Sequence, residues 1–332
     1  MKRFLWILPV ICIWPAIAQE GGEADYIRFE EKDDGTSSLQ TAVARFEKAG
    51  TIVDLVSVVH LADPEYFDRM NGLLANYDTV LYEMVGGKYA PDQPDAPGSQ
   101  MIEGMPDVRS LQKMATTFLD LEFQLEGIDY AAPNFVHADV DWEEYQELML
   151  AKNQTFATLF TRAMTLAQEG NIEGLPTDEI NLSQLLGNVV TAIRTGDGSS
   201  LKRSFAPMLG ESEDFITQIE GDDGTVLVSE RNRVVIRKLG EELAGRRSGM
   251  YAIFYGGGHM PDLERRLVAD GFKKEAVVWI DAWAMEAETG NSEDAGAELL
   301  ANPGDFLLDL LGQNPEVIEM LQQLGTALEG LE

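Results

Sequence analysis

The sequence predicts an α/β protein in which two related β-α-β halves form a mixed central sheet, with a helical insertion and a C-terminal helical extension. Two observations support this fold class. Short runs of β-branched residues alternate with segments of helical length from about residue 41 to residue 285. Two stretches in this range, 54–84 and 251–282, also share one order of elements: a strand, a histidine, a Pro-led helix, and a second strand with an acid near its end.

The first eighteen residues are typical of a secretory signal peptide. Lys2 and Arg3 form a positive start, residues 4–14 are an almost unbroken apolar run, and Ala16-Ile17-Ala18 matches an A-x-A cleavage site. The run is shorter than the ~20 residues that a membrane span needs. We therefore expect cleavage after Ala18 and a secreted or periplasmic protein without stable membrane insertion. The alternative is an uncleaved N-terminal anchor.

The composition excludes several classes of function. The chain has 25 Lys and Arg residues against 57 Asp and Glu, a net charge of -32. This excess of acid argues against nucleic acid as a partner, because neutralising phosphates requires clustered basic side chains. An acidic surface favours cations, basic peptides or simple solubility. The single cysteine, Cys12, lies in the signal segment, so we expect no disulfide, thiolate metal site or Cys nucleophile in the mature chain.

The first half of the mature chain has a regular order of predicted elements. Residues 19–40 are polar and acidic, which predicts a flexible lead-in. The β-branched run Thr51–Val59 predicts a buried strand, and Asp63 with Pro64 can cap and begin a helix that ends near Ala75. The remaining predictions for this half are a strand at 78–84, a proline-rich loop at 86–98, a helix at 111–123 and a connection at 135–142.

The second half repeats the alternation after an all-helical insertion at about 140–210, where helices are predicted at 142–170 and 182–194. The other predicted elements are a strand at 225–228, a helix at 231–243, a strand at 250–255, a Gly-rich turn at 256–259, a helix at 261–269 and a strand at 275–280. Residues 286–332 are predicted to be an acidic helical extension, which is most often a packing or dimerisation element. A homodimer is therefore a possible assembly.

Several candidate functional residues follow directly after predicted strands. His60 and His259 occupy matched positions in the two halves, and Glu83 ends the strand at 78–84. Glu230 and Arg231 follow the predicted strand at 225–228. Open α/β sheets bind ligands at the carboxyl ends of their strands. We therefore expect these five side chains to meet at one edge of the sheet if the strands run parallel.

Two imidazoles and one carboxylate suit a divalent metal ion. His60, Glu83 and His259 are the predicted ligands, and the ligand types favour Mn, Co or Zn. Such an ion lowers the pKa of bound water and polarises a carbonyl group. The alternative is a purely structural role, in which each histidine donates a hydrogen bond to a nearby carbonyl group and the Glu83 carboxylate accepts hydrogen bonds from backbone N–H groups.

Other residues have predicted catalytic or binding roles. Glu230 or Glu264 would supply a general base if Glu83 is a ligand, and Arg231 would contact a substrate carboxylate or an oxyanion. Alternatively, Glu230 and Arg231 form a simple ion pair. A glycine run would let the backbone approach a bound ligand closely; it consists of Gly256, Gly257 and Gly258.

The sequence resembles the TraB/GumN family, which includes the Tiki proteins and the pheromone-shutdown proteins. The resemblance covers roughly residues 40–285, and its motifs follow the family order. They are VVHLADPEYF at 58–67, VLYE at 80–83, ADVDWEEY at 138–145, SERNR at 229–233 and YGGGHMPDLE at 255–264.

The resemblance implies a core of two β-α-β halves, related to the erythromycin-esterase-like and ChaN-like superfamily, and a metal-dependent proteolytic activity. Two G-x-x-H motifs and an acid are the family's candidate site. Here the second motif is Gly256–His259, the acid is Glu83, and Arg231 matches the family arginine. The first motif departs from the pattern, because Ser57 stands in the glycine position before His60.

The sequence thus supports two main hypotheses of function. The first is a secreted metal-dependent hydrolase, peptidase-like, that acts on a peptide or small-molecule substrate. The alternative is a non-catalytic protein that binds or sequesters a peptide or small ligand in the same cleft. A haem or iron binder is a minor third hypothesis.

Overall fold

The computed structural model of the protein describes residues 25–87 and 119–287, except 156–157, 160, 163–164, 167–187, 189–190, 193–197, 211, 222 and 246–247. The predicted signal peptide, almost all of the C-terminal extension, most of the loop at 86–98 and most of the helix at 182–194 lie outside the described residues. Within these residues, no helix is both long enough and apolar enough to cross a membrane.

The predicted fold class is confirmed, because the described residues form an α/β structure around a mixed sheet. In chain order, the strands are β1 (Ile27–Glu31), β2 (Ser37–Lys48), β3 (Thr51–Val58), β4 (Leu61–Ala62), β5 (Thr79–Tyr82), β6 (Glu122–Phe123), β7 (Phe135–His137), β8 (Met250–Gly256) and β9 (Lys273–Met285). Seven of them make the central sheet, while β4 and β6 pair separately.

The sheet has a parallel half and an antiparallel half. Strands β3, β8, β5 and β7 lie side by side in that order and run parallel. The long strand β2 is antiparallel to β1, β3 and β9. Because β9 pairs with the same β2 residues as β1 and β3 do, it must occupy the opposite edge of β2.

Helices cover both faces of this sheet. They are α1 (Pro64–Leu74), α2 (Gln124–Gly127), α3 (Trp142–Ala151), α4 (Ser199–Gly210), α5 (Ser212–Glu220), α6 (Arg231–Ala244) and α7 (Met260–Ala269). A π-helical turn, Val226–Glu230, leads into α6, and a 3-10 turn, Gly257–His259, leads into α7. The units β3-α1-β5 and β8-α7-β9 are the two predicted β-α-β halves.

Alternation along the parallel strands divides the core into two clusters. Val56 and Phe254 pack with α1 residues such as Phe67 on one face. Their neighbours Leu55 and Ile253 pack with residues of α6 and α7 on the other face. Strands buried on both faces read as continuous apolar runs, which explains why β3 and β8 were predictable from sequence.

The prediction of a flexible lead-in at 19–40 is wrong from Ile27 onward. Residues 27–31 form β1, and β2 begins at Ser37. Leu39 is fully buried between β1 and β9. Strand β1 was not predicted because the segment is acidic and the outward-facing side chains of the strand are polar.

The predicted strand at 225–228 is also wrong, because Val226–Glu230 is a π-helical turn. Its β-branched residues suggested a strand, but a buried carboxylate decides the local structure. Glu220 accepts hydrogen bonds from the backbone N–H groups of Thr225 and Ser229, each at 2.9 Å, and from both hydroxyl groups. These bonds hold the backbone in a helical turn directly before Arg231.

Three smaller predictions differ from the structure. The connection predicted at 135–142 contains β7, which forms the edge of the parallel half. The helix predicted at 111–123 does not reach Glu122–Phe123, which is strand β6. The helix predicted at 142–170 is interrupted after Ala151, and the described residues 158–159, 161–162 and 165–166 are helical again.

Replacing Glu220 tests how strongly the turn depends on its carboxylate. We expect Glu220→Gln to lower the free energy of unfolding by about 1–3 kcal/mol, because one acceptor oxygen is lost among buried donors. Urea unfolding followed by circular dichroism measures this change. Glu241→Gln on the exposed side of α6 is the matched control, and an equal effect of the two substitutions would contradict the role of Glu220.

Candidate functional site

The carboxyl ends of three adjacent parallel strands carry the predicted site residues. His60 follows β3, His259 follows β8, and Glu83 follows β5. All three line one cavity of about 570 Å³, together with Arg231 at the start of α6. The convergence predicted from the strand order therefore occurs for these four side chains.

The rest of the cavity wall is mainly apolar. Helices α4 and α5 close it opposite the sheet edge, and its volume lies within the range of ~300–1,000 Å³ typical of small-molecule sites. The apolar lining residues are Ile27, Val58, Val59, Leu61, Leu119, Phe205, Met208, Leu209, Ile216, Ile219, Leu227, Val228 and Trp283. The site thus combines a large apolar space with one polar end.

Glu83 is held as an ionised carboxylate at this polar end. Its Oε1 accepts a 2.6 Å hydrogen bond from Nη2 of Arg231, and its Oε2 accepts a 2.7 Å bond from the backbone N–H of Gly256. Burial raises the pKa of Glu83, but the positive charge of Arg231, joined by His259 only when its ring is protonated, lowers it more, so this pKa lies well below its usual range.

Arg231 has no N–H group left for a substrate. Its Nε and Nη2 donate to the two oxygens of Asp139 at 2.9 and 2.6 Å, and Nη2 also donates to Glu83. Its Nη1 donates to the carbonyl oxygen of Leu227 at 3.2 Å and to Nε2 of His259 at 3.3 Å. A guanidinium has five N–H bonds. The predicted role in oxyanion or substrate carboxylate binding is therefore wrong, and Arg231 positions its neighbours instead.

Asp139 anchors this arginine and was not predicted from sequence. It also accepts hydrogen bonds from the backbone N–H groups of Met84 and Val140, at 3.0 and 2.8 Å. Asp139 follows β7 in the way that Glu83 follows β5. An acidic residue after a strand could have been recognised in the sequence. Residues 135–142 were predicted to be a connection, however, so the strand before Asp139 was not identified.

The orientation of the His259 ring is fixed by Asn232. The side-chain N–H₂ of Asn232 donates to the carbonyl oxygen of His259 at 3.0 Å and to Oδ2 of Asp262 at 2.8 Å. Its Oδ1 must then be the acceptor in the 2.8 Å contact with Nδ1 of His259. Nδ1 carries the proton, so Nε2 has a lone pair that accepts from Nη1 of Arg231 at 3.3 Å, and Oε1 of Glu83 lies 3.5 Å from the same nitrogen.

His60 is oriented in the same way by a different amide. Its Nδ1 lies 2.8 Å from Oε1 of Gln124, while Nε2 of Gln124 donates to the hydroxyl of Tyr130 at 2.8 Å. Nδ1 of His60 is therefore the donor, and Nε2 has no hydrogen-bond partner among the described residues. Gln124 and Asn232 were both missed from sequence, because an amide acquires this role only through its position in the fold.

Two predicted catalytic acids lie outside the cluster. Glu230 bonds to Lys152 at 2.8 Å and to Arg233 at 2.6 Å, and Glu264 bonds to the hydroxyl of Tyr26 at 2.5 Å and to Lys274 at 2.8 Å. Neither is among the residues that line the cavity. Both predictions are therefore wrong for this site, and both side chains form ion pairs instead.

The glycine run serves packing as well as the cavity. Gly256 binds Glu83 through its backbone, as described above. A Cβ atom at Gly257 would clash with Cδ1 of Ile27, and one at Gly258 would clash with Cδ1 of Ile216. The close approach that these two glycines allow is to apolar side chains of the cavity wall.

The predicted metal site fits in ligand type but not in arrangement. In favour of the site, Nδ1 of each imidazole is engaged by an amide oxygen, so Nε2 is the nitrogen that a metal would bind, as in many metal-binding histidines. Against it, no group of three or more His, Cys, Asp or Glu side chains in the described part of the chain is placed to hold one ion. Arg231 also puts a positive charge beside Glu83. The residues as arranged do not fit a metal, and the metal site stays a prediction.

The low pKa of Glu83 predicts a loss of stability in acid. A carboxylate whose pKa is lower in the folded state than its unfolded value, about 4.3, stabilises the fold above that value. This contribution is lost as the pH falls through the folded pKa. We expect Glu83→Gln to show a shallower fall in stability below pH ~4 than the parent, measured as urea midpoints across pH. Equal slopes would contradict the lowered pKa.

Comparison of the chain with protein-family models, with curated proteins and with solved structures finds no match. The resemblance to the TraB/GumN family therefore stays a prediction carried by the motifs themselves.

Proposed function

We propose that this protein is a secreted hydrolase that holds the apolar part of a peptide or small-molecule substrate in the cavity and cleaves a bond beside Glu83 and His259. The observation that carries the proposal is the His259 ring. Asn232 fixes its tautomer, so the Nε2 lone pair faces the polar end of an otherwise apolar cavity. An oriented neutral imidazole is the commonest general base in proteins.

The residues supply the parts of a water-dependent cleavage. Nε2 of His259 exchanges its long 3.3 Å contact with Nη1 of Arg231 for a water molecule, and it removes a proton from this water as the water oxygen attacks the carbonyl carbon of the substrate. The resulting imidazolium then gives this proton to the leaving group as the bond to the carbonyl carbon breaks. Glu83, with Oε1 3.5 Å from Nε2, stabilises the imidazolium while it exists. Arg231 holds both groups in place.

Dependence on Mn, Co or Zn is a separate prediction from the ligand types, in line with the metal-dependent activity that the resemblance implies, and none of these steps requires it. Metal analysis of the purified protein and assays with a chelator distinguish the two versions. Turnover that is lost with chelator and restored by one of these ions would support the metal-dependent version. Turnover that persists in the metal-free protein would support the imidazole base alone.

The direct test is a panel of chromogenic esters and short peptides whose acyl or side-chain groups increase in apolar size. We expect turnover to rise with apolar size until the cavity is filled, because the apolar group supplies the binding free energy. A panel without turnover, with or without added metal, would contradict the hydrolase.

A non-catalytic binding protein is the second candidate. It is favoured by the mutual satisfaction of Glu83 and Arg231, which form a stable charged cluster without any substrate. This version predicts saturable binding in the cavity without turnover. Haem or iron binding is a further outcome of the same titrations, and a Soret band on titration with haem would identify it.

A further inference from the structure

The cavity presents hydrogen-bond acceptors and negative charge to a ligand. Among the described residues, the side-chain groups that can still accept a hydrogen bond at its polar end are Nε2 of His60 and the carboxylate of Glu83, since Nε2 of His259 already accepts from Nη1 of Arg231 at 3.3 Å. Every N–H group of Arg231 is already used. The Trp283 indole, which also lines the cavity, donates to the carbonyl oxygen of Leu61 at 2.7 Å. A ligand must therefore bring its own donors to these side chains.

The charges around the cavity also favour a ligand that is a cation and a hydrogen-bond donor. Two carboxylates line the cavity, Glu83 and Glu220, against one guanidinium, Arg231. Arg231 also neutralises the buried carboxylate of Asp139, at 2.6 Å. The three carboxylates of Glu83, Glu220 and Asp139 outnumber the single positive charge of Arg231, so the net charge of these four groups is negative. The apolar walls limit the screening of that charge by water. The net charge of -32 for the whole chain adds an attraction for cations at longer range.

We propose that the cavity takes a primary ammonium group attached to an apolar chain or side chain. The apolar part fills the space between the sheet edge and helices α4 and α5. The ammonium donates to Glu83 and to Nε2 of His60. This chemistry is shared by a free alkylamine and by the N-terminal amine of an apolar peptide. The inference rests on the proposed function for the assignment of this cavity as the substrate site.

Binding to matched ligands tests the proposal without any assay of turnover. Isothermal titration of the full chain compares decylamine with decanol, decanoate and decyltrimethylammonium, which share one chain and differ in charge or in donors. We expect decylamine to bind about tenfold or more tightly than each of the others, because only it has both the charge and the N–H groups. Butylamine should bind more weakly than decylamine, since it leaves apolar walls uncovered.

Two variants locate the binding group. Glu83→Gln should weaken decylamine binding about tenfold or more while leaving decanol binding unchanged. Glu241→Gln, which removes an exposed carboxylate from α6, should change neither ligand. Decanoate binding as tight as decylamine, or equal effects of the two variants, would overturn the proposal.

A peptide arm separates the two sources of the amine. Trileucine amide and its N-acetylated form differ only in the ammonium group, so preference for the free amine would identify peptide N-termini as ligands. Binding of decylamine alone would identify small alkylamines. The proposal fails independently of the hydrolase if a neutral or anionic substrate is turned over while no amine binds. Amine binding without any turnover would leave the proposal standing and contradict the hydrolase.

Discussion

Arg231→Leu is expected to lower the free energy of unfolding by about 3–5 kcal/mol, the cost of removing one partner from a buried ion pair. The substitution would leave the carboxylates of Asp139 and Glu83 without a counter-ion. The Asp139 side chain is fully buried, and the Glu83 side chain is 14% exposed. Water can therefore do little to replace the lost guanidinium. Urea unfolding of the two proteins, followed by circular dichroism, measures the difference.

A neighbouring arginine provides the matched control. Arg233 lies on the same helix and pairs with Glu230, but its side chain is 59% exposed. Exposed ion pairs contribute about 0–1 kcal/mol, so Arg233→Leu should have a small effect. Adding Asp139→Asn to Arg231→Leu should recover part of the loss, because it removes one of the two unpaired charges. Equal effects of the two leucine substitutions would contradict the structural role of Arg231.

The parallel strand order explains why part of the site was predictable. Strands β3, β8 and β5 have strong apolar runs, and residues that follow such strands meet at one edge of the sheet. This argument placed His60, Glu83 and His259 correctly without any contact information. Arg231 was placed at the same edge for a wrong reason, because it follows a helical turn and not a strand.

The unpredicted parts of the site depend on pairing between distant segments. Asp139 bonds to Arg231 across 92 residues, and Gln124 bonds to His60 across 64. Neither residue has a local pattern that identifies its partner. The same limit explains Glu264, which was predicted as the spare catalytic acid, as an alternative to Glu230. Its partner Tyr26 comes from a segment that was predicted to be flexible.

The charged cluster changes the interpretation of the two histidines. In the predicted metal site, Glu83 would be the third ligand of the ion. In the structure Glu83 belongs to a chain of interactions that runs from Asp139 through Arg231 to His259. Such a chain supplies negative charge beside the imidazole without an ion. The resemblance and the geometry therefore lead to different expectations for the effect of a chelator.

His259→Ala is expected to reduce turnover of the best substrate by about 100- to 10,000-fold, the usual contribution of a general base. Arg265→Ala, an exposed substitution on α7, is the control and should leave turnover unchanged. Asn232→Leu keeps the imidazole but removes the group that fixes its tautomer, and about 10–100-fold is the expected loss. Wild-type turnover in His259→Ala would exclude this base.

Nuclear magnetic resonance reports the tautomer of His259 directly, and a loss of stability cannot produce the same change in the spectrum. Long-range ¹H–¹⁵N spectra distinguish the two neutral tautomers, and we expect the proton on Nδ1 in the parent protein because Oδ1 of Asn232 accepts from it. In folded Asn232→Leu, we expect a mixture of tautomers, since the fixed acceptor is gone. A parent ring with its proton on Nε2 would place the lone pair against Asn232, and His259 could not then remove a proton from water in the cavity.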